Sequence, residues 1–190
     1  GRLLNQRGYR ERGHQAPLNE VMAAGLLKLA NWDKSIPLID PMCGTGTIII
    51  EAVLMGLNIP PQLNQNEFGF KNWNNFQPVM WNRIKAEAQS KIRSTPLMIT
   101  GGDIDSDAVA LAKRALKKLR MGRDVQIKHI AFENFIPKFQ RGIIITNPPY
   151  GERIGEEVDN LYKKIGDTFK KNFSGFNAWV LSSNIPALKK

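Results

Sequence analysis

A run of apolar and β-branched residues, Gly142-Ile143-Ile144-Ile145-Thr146, ends abruptly at Asn147-Pro148-Pro149-Tyr150. Without polar alternation, such a run reads as a strand buried on both faces, the pattern of a parallel sheet. Proline has no N–H to give to a ladder, so the paired prolines force the chain out of the sheet. Two acceptors then converge at the strand tip: the Asn147 amide oxygen and the Pro148 carbonyl, which is followed by a residue with no N–H. Such a pair can hold a planar amino group by both hydrogens and aim its nitrogen lone pair at an electrophile. Tyr150 beside them offers a ring face on which a planar base could stack. The same tetrapeptide would also close an ordinary strand ahead of a loop, so other segments must decide.

Upstream, Ile36-Pro37-Leu38-Ile39 reads as a short strand and Ile48 to Leu54 as a helix start, with Asp40-Pro41-Met42-Cys43-Gly44-Thr45-Gly46-Thr47 between them. Glycines in a strand-to-helix turn let the backbone approach a ligand, and the helix N-terminus leaves N–H groups for its polar end. The spacing is G-x-G, without the third glycine of the dinucleotide fingerprint and unlike the Walker pattern. A second acidic site, Gly101-Gly102-Asp103-Ile104-Asp105, closes the next apolar run, Pro96 to Thr100. A carboxylate at the tip of a second strand sits where a ribose diol is gripped, and Ile104 could cover a face of adenine. Asp105 or Ser106 would cap the helix expected from Ala108 to Leu119.

Taken in order, the glycine turn, the acidic strand end and Asn147-Pro148-Pro149-Tyr150 resemble the Rossmann-like S-adenosylmethionine-dependent amino methyltransferases. Three segments narrow the resemblance to the bacterial RNA guanine-N2-methyltransferases of the large-subunit rRNA type. They are Arg7-Gly8-Tyr9-Arg10 with Ala16-Pro17-Leu18-Asn19-Glu20, then Asp40 to Ala52, then Asn147 to Arg153. The resemblance implies an α/β fold with a mostly parallel, doubly wound sheet. It implies that Asp40, Cys43, Gly44 and Gly46 line the methionine part of the donor, with Thr45 in the same turn and Ile104 beside the adenine. Asp103 would take the ribose hydroxyls. Asn147, bordering the donor, would orient the target amino group together with Pro148, while Tyr150 stacks a base turned out of its helix. S-adenosylmethionine would be the cofactor and S-adenosylhomocysteine the product. The sulfonium already activates the methyl, so transfer needs positioning rather than a metal. One departure stands out: Phe132 falls where many such enzymes carry an Asp that accepts from the adenine amino group, leaving Glu133, Asn134 or a backbone group for that role.

Neighbouring readings use similar corners: a DNA adenine or cytosine amino methyltransferase, a protein-glutamine methyltransferase, or a non-catalytic RNA-binding domain on a relict fold. Charge bears on the choice. The formal net charge is +10, and Lys113, Arg114, Lys117, Lys118, Arg120 and Arg123 gather on or just beyond one helix. The N-terminal arginines and Lys163, Lys164, Lys170 and Lys171 add to a cationic surface. That balance favours a polyanionic partner, hence RNA, in the resemblance rRNA. The one cysteine and two histidines show no metal-ligand spacing, and no disulfide framework is available. We expect Cys43 to fill space in its turn. No run matches a membrane span or a signal peptide, and the expected location is cytoplasmic.

Residues 1–30 are expected to form a basic lead and a helix joining the catalytic domain of residues 31–190, with an insertion at about 58–94. There, Phe68, Phe70, Trp73, Phe76 and Trp81 precede a helical pattern from about Val79 to Ile92. These aromatics either pack the insertion onto the sheet or stack on bases. The chain starts at Gly1 and stops soon after a fifth apolar run, Ala178 to Ser182. We therefore expect a catalytic fragment lacking its last strands, with a THUMP-type RNA-binding domain before it in the full-length protein.

Overall fold

The computed structural model describes residues 6–9, 18–120, 122–149 and 156–182. Five strands, β1 (Leu38–Asp40), β2 (Ile99–Asp103), β3 (Gln126–His129), β4 (Gly142–Thr146) and β5 (Phe176–Val180), form one sheet in the order β3-β2-β1-β4-β5. Every pairing is parallel. This is the doubly wound α/β arrangement, and its strand order reverses between β1 and β4. All five residues of β4 are buried, as the unbroken apolar run requires, and its bounds coincide with the sequence expectation. The apolar run before Asp103 is less informative. The strand occupies Ile99–Asp103 rather than Pro96–Thr100, because pairing with β1 sets Asp40 opposite Gly101. Likewise β5 starts at Phe176, two residues ahead of the expected run, paired from Gly142 onward with β4.

Helix α1 (Glu20–Leu29) is capped by Asn19, whose side chain accepts from the Val21 and Met22 amides. Ala23 and Leu27 on its inner face join the main apolar cluster with Tyr9, Leu38 and Ile49. Helix α2 (Thr47–Gly56) is buried almost all round, as a helix covered on every side must be. It carries one buried acid, Glu51, which accepts from the Tyr9 hydroxyl at 3.1 Å and the Arg7 Nε at 3.4 Å. Burial pushes the Glu51 carboxyl up, and Arg7 and Tyr9 pull it back. The contact ties residues 6–9 to the sheet's covering layer. Helix α4 (Ser106–Lys118) is amphipathic, burying Ala108, Val109, Ala112 and Ala115, with Asp105 as the expected cap. Helix α5 (Glu156–Asn172) covers the β4–β5 side through Tyr162 and Ile165, and Phe173 just beyond its end packs on Ile39 and Ile144.

The insertion does not do what packing onto the sheet would require. Helix α3 (Pro78–Ser90) buries no residue. Its aromatics pack on one another instead, around Phe70: Trp81 lies at 5.0 Å and Phe68 at 5.2 Å between ring centroids. Backbone and amide bonds, Arg93 N–H to the Leu57 carbonyl and Asn58 Nδ2 to the Lys91 carbonyl, return the chain to the end of α2.

Candidate active site

The carboxyl ends of β1, β2 and β4 open into a cleft of about 690 Å³ at the point where strand order reverses, the place where open α/β sheets bind ligands. Pro41, Met42, Gly44, Asp103, Ile104 and Asn147 line it from the strand ends. Ala131, Phe132 and Glu133 form a second wall, and Asn160, Leu161 and Lys164 of α5 a third.

The glycine turn is shaped by its two αL residues, Gly44 at φ 52° and Gly46 at φ 81°. A Cβ on Gly46 would stand 2.9 Å from the Ala112 Cβ, so α4 can approach only because glycine is there. Gly44 donates its N–H to Asp103 Oδ2 at 2.6 Å, while the Asp105 N–H reaches Asp103 Oδ1 at 2.9 Å. One carboxylate thus fixes the tips of β1 and β2 against each other. Each of its oxygens retains further acceptor capacity, and Asp103 lines the cleft. Ile104 is 71% exposed at the rim, an apolar surface that awaits a flat partner.

Not every residue of the turn faces the cleft. Asp40 is buried behind it, accepting from the Thr146 hydroxyl at 2.8 Å and the Met42 N–H at 3.3 Å. Cys43 packs beneath Gly101, and Gly46 against α4. Thr45 is half-buried and lies outside the cleft lining. Burial, with Asp40 and Asp103 nearby, drives the Cys43 thiol well above its ordinary range. It therefore stays protonated at neutral pH, which suits a space-filler and not a nucleophile.

Burial also raises the Asp40 carboxyl from 3.8 to about 7. The Thr146 and Met42 hydrogen bonds oppose the rise, and Asp103 adds to it. The folded state then holds a proton that the unfolded chain has released above pH 4. Stability falls as pH climbs from about 4 to about 7, by on the order of 4 kcal/mol if this group acted alone. Asp40→Asn keeps an acceptor for Thr146 and cannot ionise. Denaturant titrations at several pH values should show a flatter profile across that window in the variant. An unchanged slope would place the ionisation elsewhere. Glu51, raised in the same direction, leaves a residual slope.

At the end of β4, Asn147 Oδ1 is buried and has no hydrogen-bond partner among the described residues. An unpaired buried acceptor costs about 1–3 kcal/mol, and such groups in folded proteins call for a reason. Asn147 is among the residues that line the open cleft, and the next residue, Pro148, is itself buried. Tyr150, expected to stack on a base, lies outside the described residues, as do Arg10, Ala16, Pro17 and residues 151–153. Phe132 sits in a short 3-10 turn, Phe132–Asn134, packed with Tyr162 and Ile165 and bordering the cleft. Glu133, the next residue, is exposed on the cleft wall, the placement required of a substitute acceptor. Sequence reading passed over the α5 wall. Its signal was available in the three-to-four-residue recurrence of Leu161, Tyr162, Ile165 and Phe169 on α5, with Asn160 and Lys164 beside that stripe.

A doubly wound parallel sheet with a glycine turn, a carboxylate on the neighbouring strand tip and an Asn-Pro-Pro corner at the switch point defines a Rossmann-like methyltransferase. The chain belongs to the RMKL-like methyltransferase domain family, UPF0020, which it matches over residues 7–189. It is 41% identical to the Ribosomal RNA large subunit methyltransferase K/L of Shewanella sp. (strain W3-18-1) over 97% of its length, and 40% identical to that of Shewanella oneidensis. It spans 27% of each of those proteins. Among solved structures, SMU.472 complexed with SAH (S-adenosylhomocysteine) aligns with a TM-score of 0.88 and 32% identity over 98% of this chain and 49% of that one. A predicted N6-adenine-specific DNA methylase from Listeria monocytogenes aligns with the same TM-score and coverage at 35% identity. No helix among the described residues is long and apolar enough to cross a membrane.

Proposed function

We propose that this domain transfers a methyl group from S-adenosylmethionine to the exocyclic amino group of a guanine in RNA, specifically ribosomal RNA. The observation that carries the reading is the buried, partnerless Asn147 Oδ1 bordering the cleft. The rRNA name of the curated relatives and the SAH held by one structural relative support it. The residues present fit the donor. Gly44 presents bare backbone at the cleft wall while Gly46 lets α4 close against the turn, Asp103 has acceptor capacity for a diol, and Ile104 gives an apolar face. Bound there, S-adenosylmethionine supplies an electrophilic methyl on a sulfonium.

The chain's own contribution is positioning. Asn147 Oδ1 and the Pro148 carbonyl accept the two hydrogens of the target –NH2, fixing the direction of its lone pair. Asp103 and the glycine turn fix the donor side, and the apolar walls at Met42, Phe132 and Leu161 limit water access. Asn147 need not act as a base, because the amino proton becomes acidic once the new bond forms. Guanine among the aminated bases rests on the family resemblance, since adenine and cytosine amino groups also present two hydrogens. Residues 1–30 join residues 31–190, with the insertion at 58–94, in one catalytic unit, placed after a THUMP-type domain in a longer cytoplasmic protein. Nucleoside mass spectrometry on cells lacking this protein tests the reading. The expected result is loss of N2-methylguanosine from rRNA. Loss of N6-methyladenine from DNA instead would overturn the substrate.

A further inference from the structure

Away from the cleft, α4 and the edge strand β3 enclose a second groove of about 590 Å³. Its lining carries four cations, Lys113, Lys117, Arg120 and Arg123, and no carboxylate. Leu116, Val125 and Ile127 form its apolar floor. Lys113 and Lys117, both exposed, stand one helical turn apart on one side of α4, and Arg120, also exposed, follows two residues beyond the helix at φ 54°. Like charges four apart repel each other on a helix. The helix dipole favours cations in the last turn, which accounts for Lys117 and Lys118 but not for Lys113 or for Arg123 beyond the helix. The helix is also polarised along its length: Asp105 and Asp107 stand at the cleft end, the cations toward the far end.

We propose that this groove is a docking track for the RNA backbone, gripping the strand away from the nucleotide that enters the cleft. The inference rests on the reading of the substrate as RNA. Residues four apart on a helix rise about 6 Å along its axis, the scale on which phosphates recur along a strand. Four cations on one groove whose lining holds no carboxylate match that polyanion, and their separation from base-reading groups suits sequence-independent grip. The thirteen residues of α4 span about 20 Å, so the track and the cleft contact different nucleotides of one strand.

The test is binding of a labelled single-stranded RNA to the 190-residue chain as a function of NaCl. It compares wild type, a groove variant (Lys113→Gln, Lys117→Gln, Arg120→Gln, Arg123→Gln) and a charge-matched control (Lys138→Gln, Arg141→Gln, Lys170→Gln, Lys171→Gln). Phosphatidylserine vesicles serve as a second anionic probe, and SAH titration and thermal melting check that each variant remains intact. The groove variant should flatten the slope of log K against log salt by about 3, four contacts at about 0.7 each, and the control by less. KM for a long RNA should rise while kcat holds. Equal shifts in both variants would reduce the effect to net charge and overturn the track. Unchanged RNA binding with lost vesicle binding would overturn it in favour of lipid. Wild-type protein that binds no RNA would sink the RNA reading itself, whereas RNA binding that survives in the groove variant would sink this inference alone.

Discussion

Asn147→Ala should lower methyl transfer by about two orders of magnitude or more while leaving SAH affinity near its wild-type value. The size follows from losing one preorganised polar group at a reacting centre, which costs roughly 3–4 kcal/mol of barrier. The side chain sits at the end of a strand whose five residues are all buried, so its position is held before any substrate arrives. Its oxygen has no partner to lose within the described residues, so removing it should not unsettle the fold. Single-turnover rates with saturating donor, read beside a calorimetric SAH titration, separate the two quantities. Equal losses of donor affinity and rate would make Asn147 a structural residue. Asn147→Asp is a useful companion, because it keeps an acceptor but adds a charge near Asp40 and Asp103.

Asp103→Ala should weaken SAH binding by about 2–4 kcal/mol, roughly 30- to 1000-fold in Kd, through loss of two charge-assisted hydrogen bonds to the ribose. The structure adds a complication that the sequence did not show. Both Asp103 oxygens already accept backbone N–H groups, from Gly44 and Asp105, so truncation also releases the glycine turn. Asp103→Asn distinguishes the contributions, since the amide keeps one acceptor for a backbone N–H and gives up the charge. If the alanine variant bound SAH as tightly as wild type, the assignment of Asp103 to the donor would be wrong. If Asn restored the turn's thermal stability but not affinity, the ribose contact would carry most of the loss.

What could be read from the sequence was whatever depends on local pattern. Gly142–Thr146 was unambiguous because a run of β-branched residues ending in Pro-Pro has few other homes. Asp105 as a helix cap, and Asp103 at a strand tip beside the glycine turn, were legible for the same reason. Orientation was not. Asp40, Cys43 and Gly46 lie in the glycine turn, yet they face into the protein, because a tight turn with two αL glycines alternates its faces irregularly. Strand bounds at β2 and β5 shifted because register comes from partners distant in the chain. The contribution of α5 to the cleft was hidden for a similar reason: Asn160 and Lys164 are ordinary surface types until tertiary packing brings that helix to the opening. Of the two readings open for the aromatic insertion, packing onto the sheet is not what the structure shows, because Phe68, Phe70 and Trp81 pack on one another.

Thr146 and Asn147 are consecutive residues with opposite duties. Thr146 reaches inward to Asp40 at the base of the glycine turn, and Asn147 lines the cleft. No linker separates the strut from the tool it supports. On the proposed function, widening the corner for a larger base by sliding β4 would fail, because the same displacement would pull on Asp40 and loosen the glycine turn. On that same reading, tolerance for new substrates is better sought on the exposed face of α5, where Asn160 and Lys164 line the cleft. A library randomised at Asn160 and Lys164 is therefore the economical place to look for altered base choice with donor binding preserved.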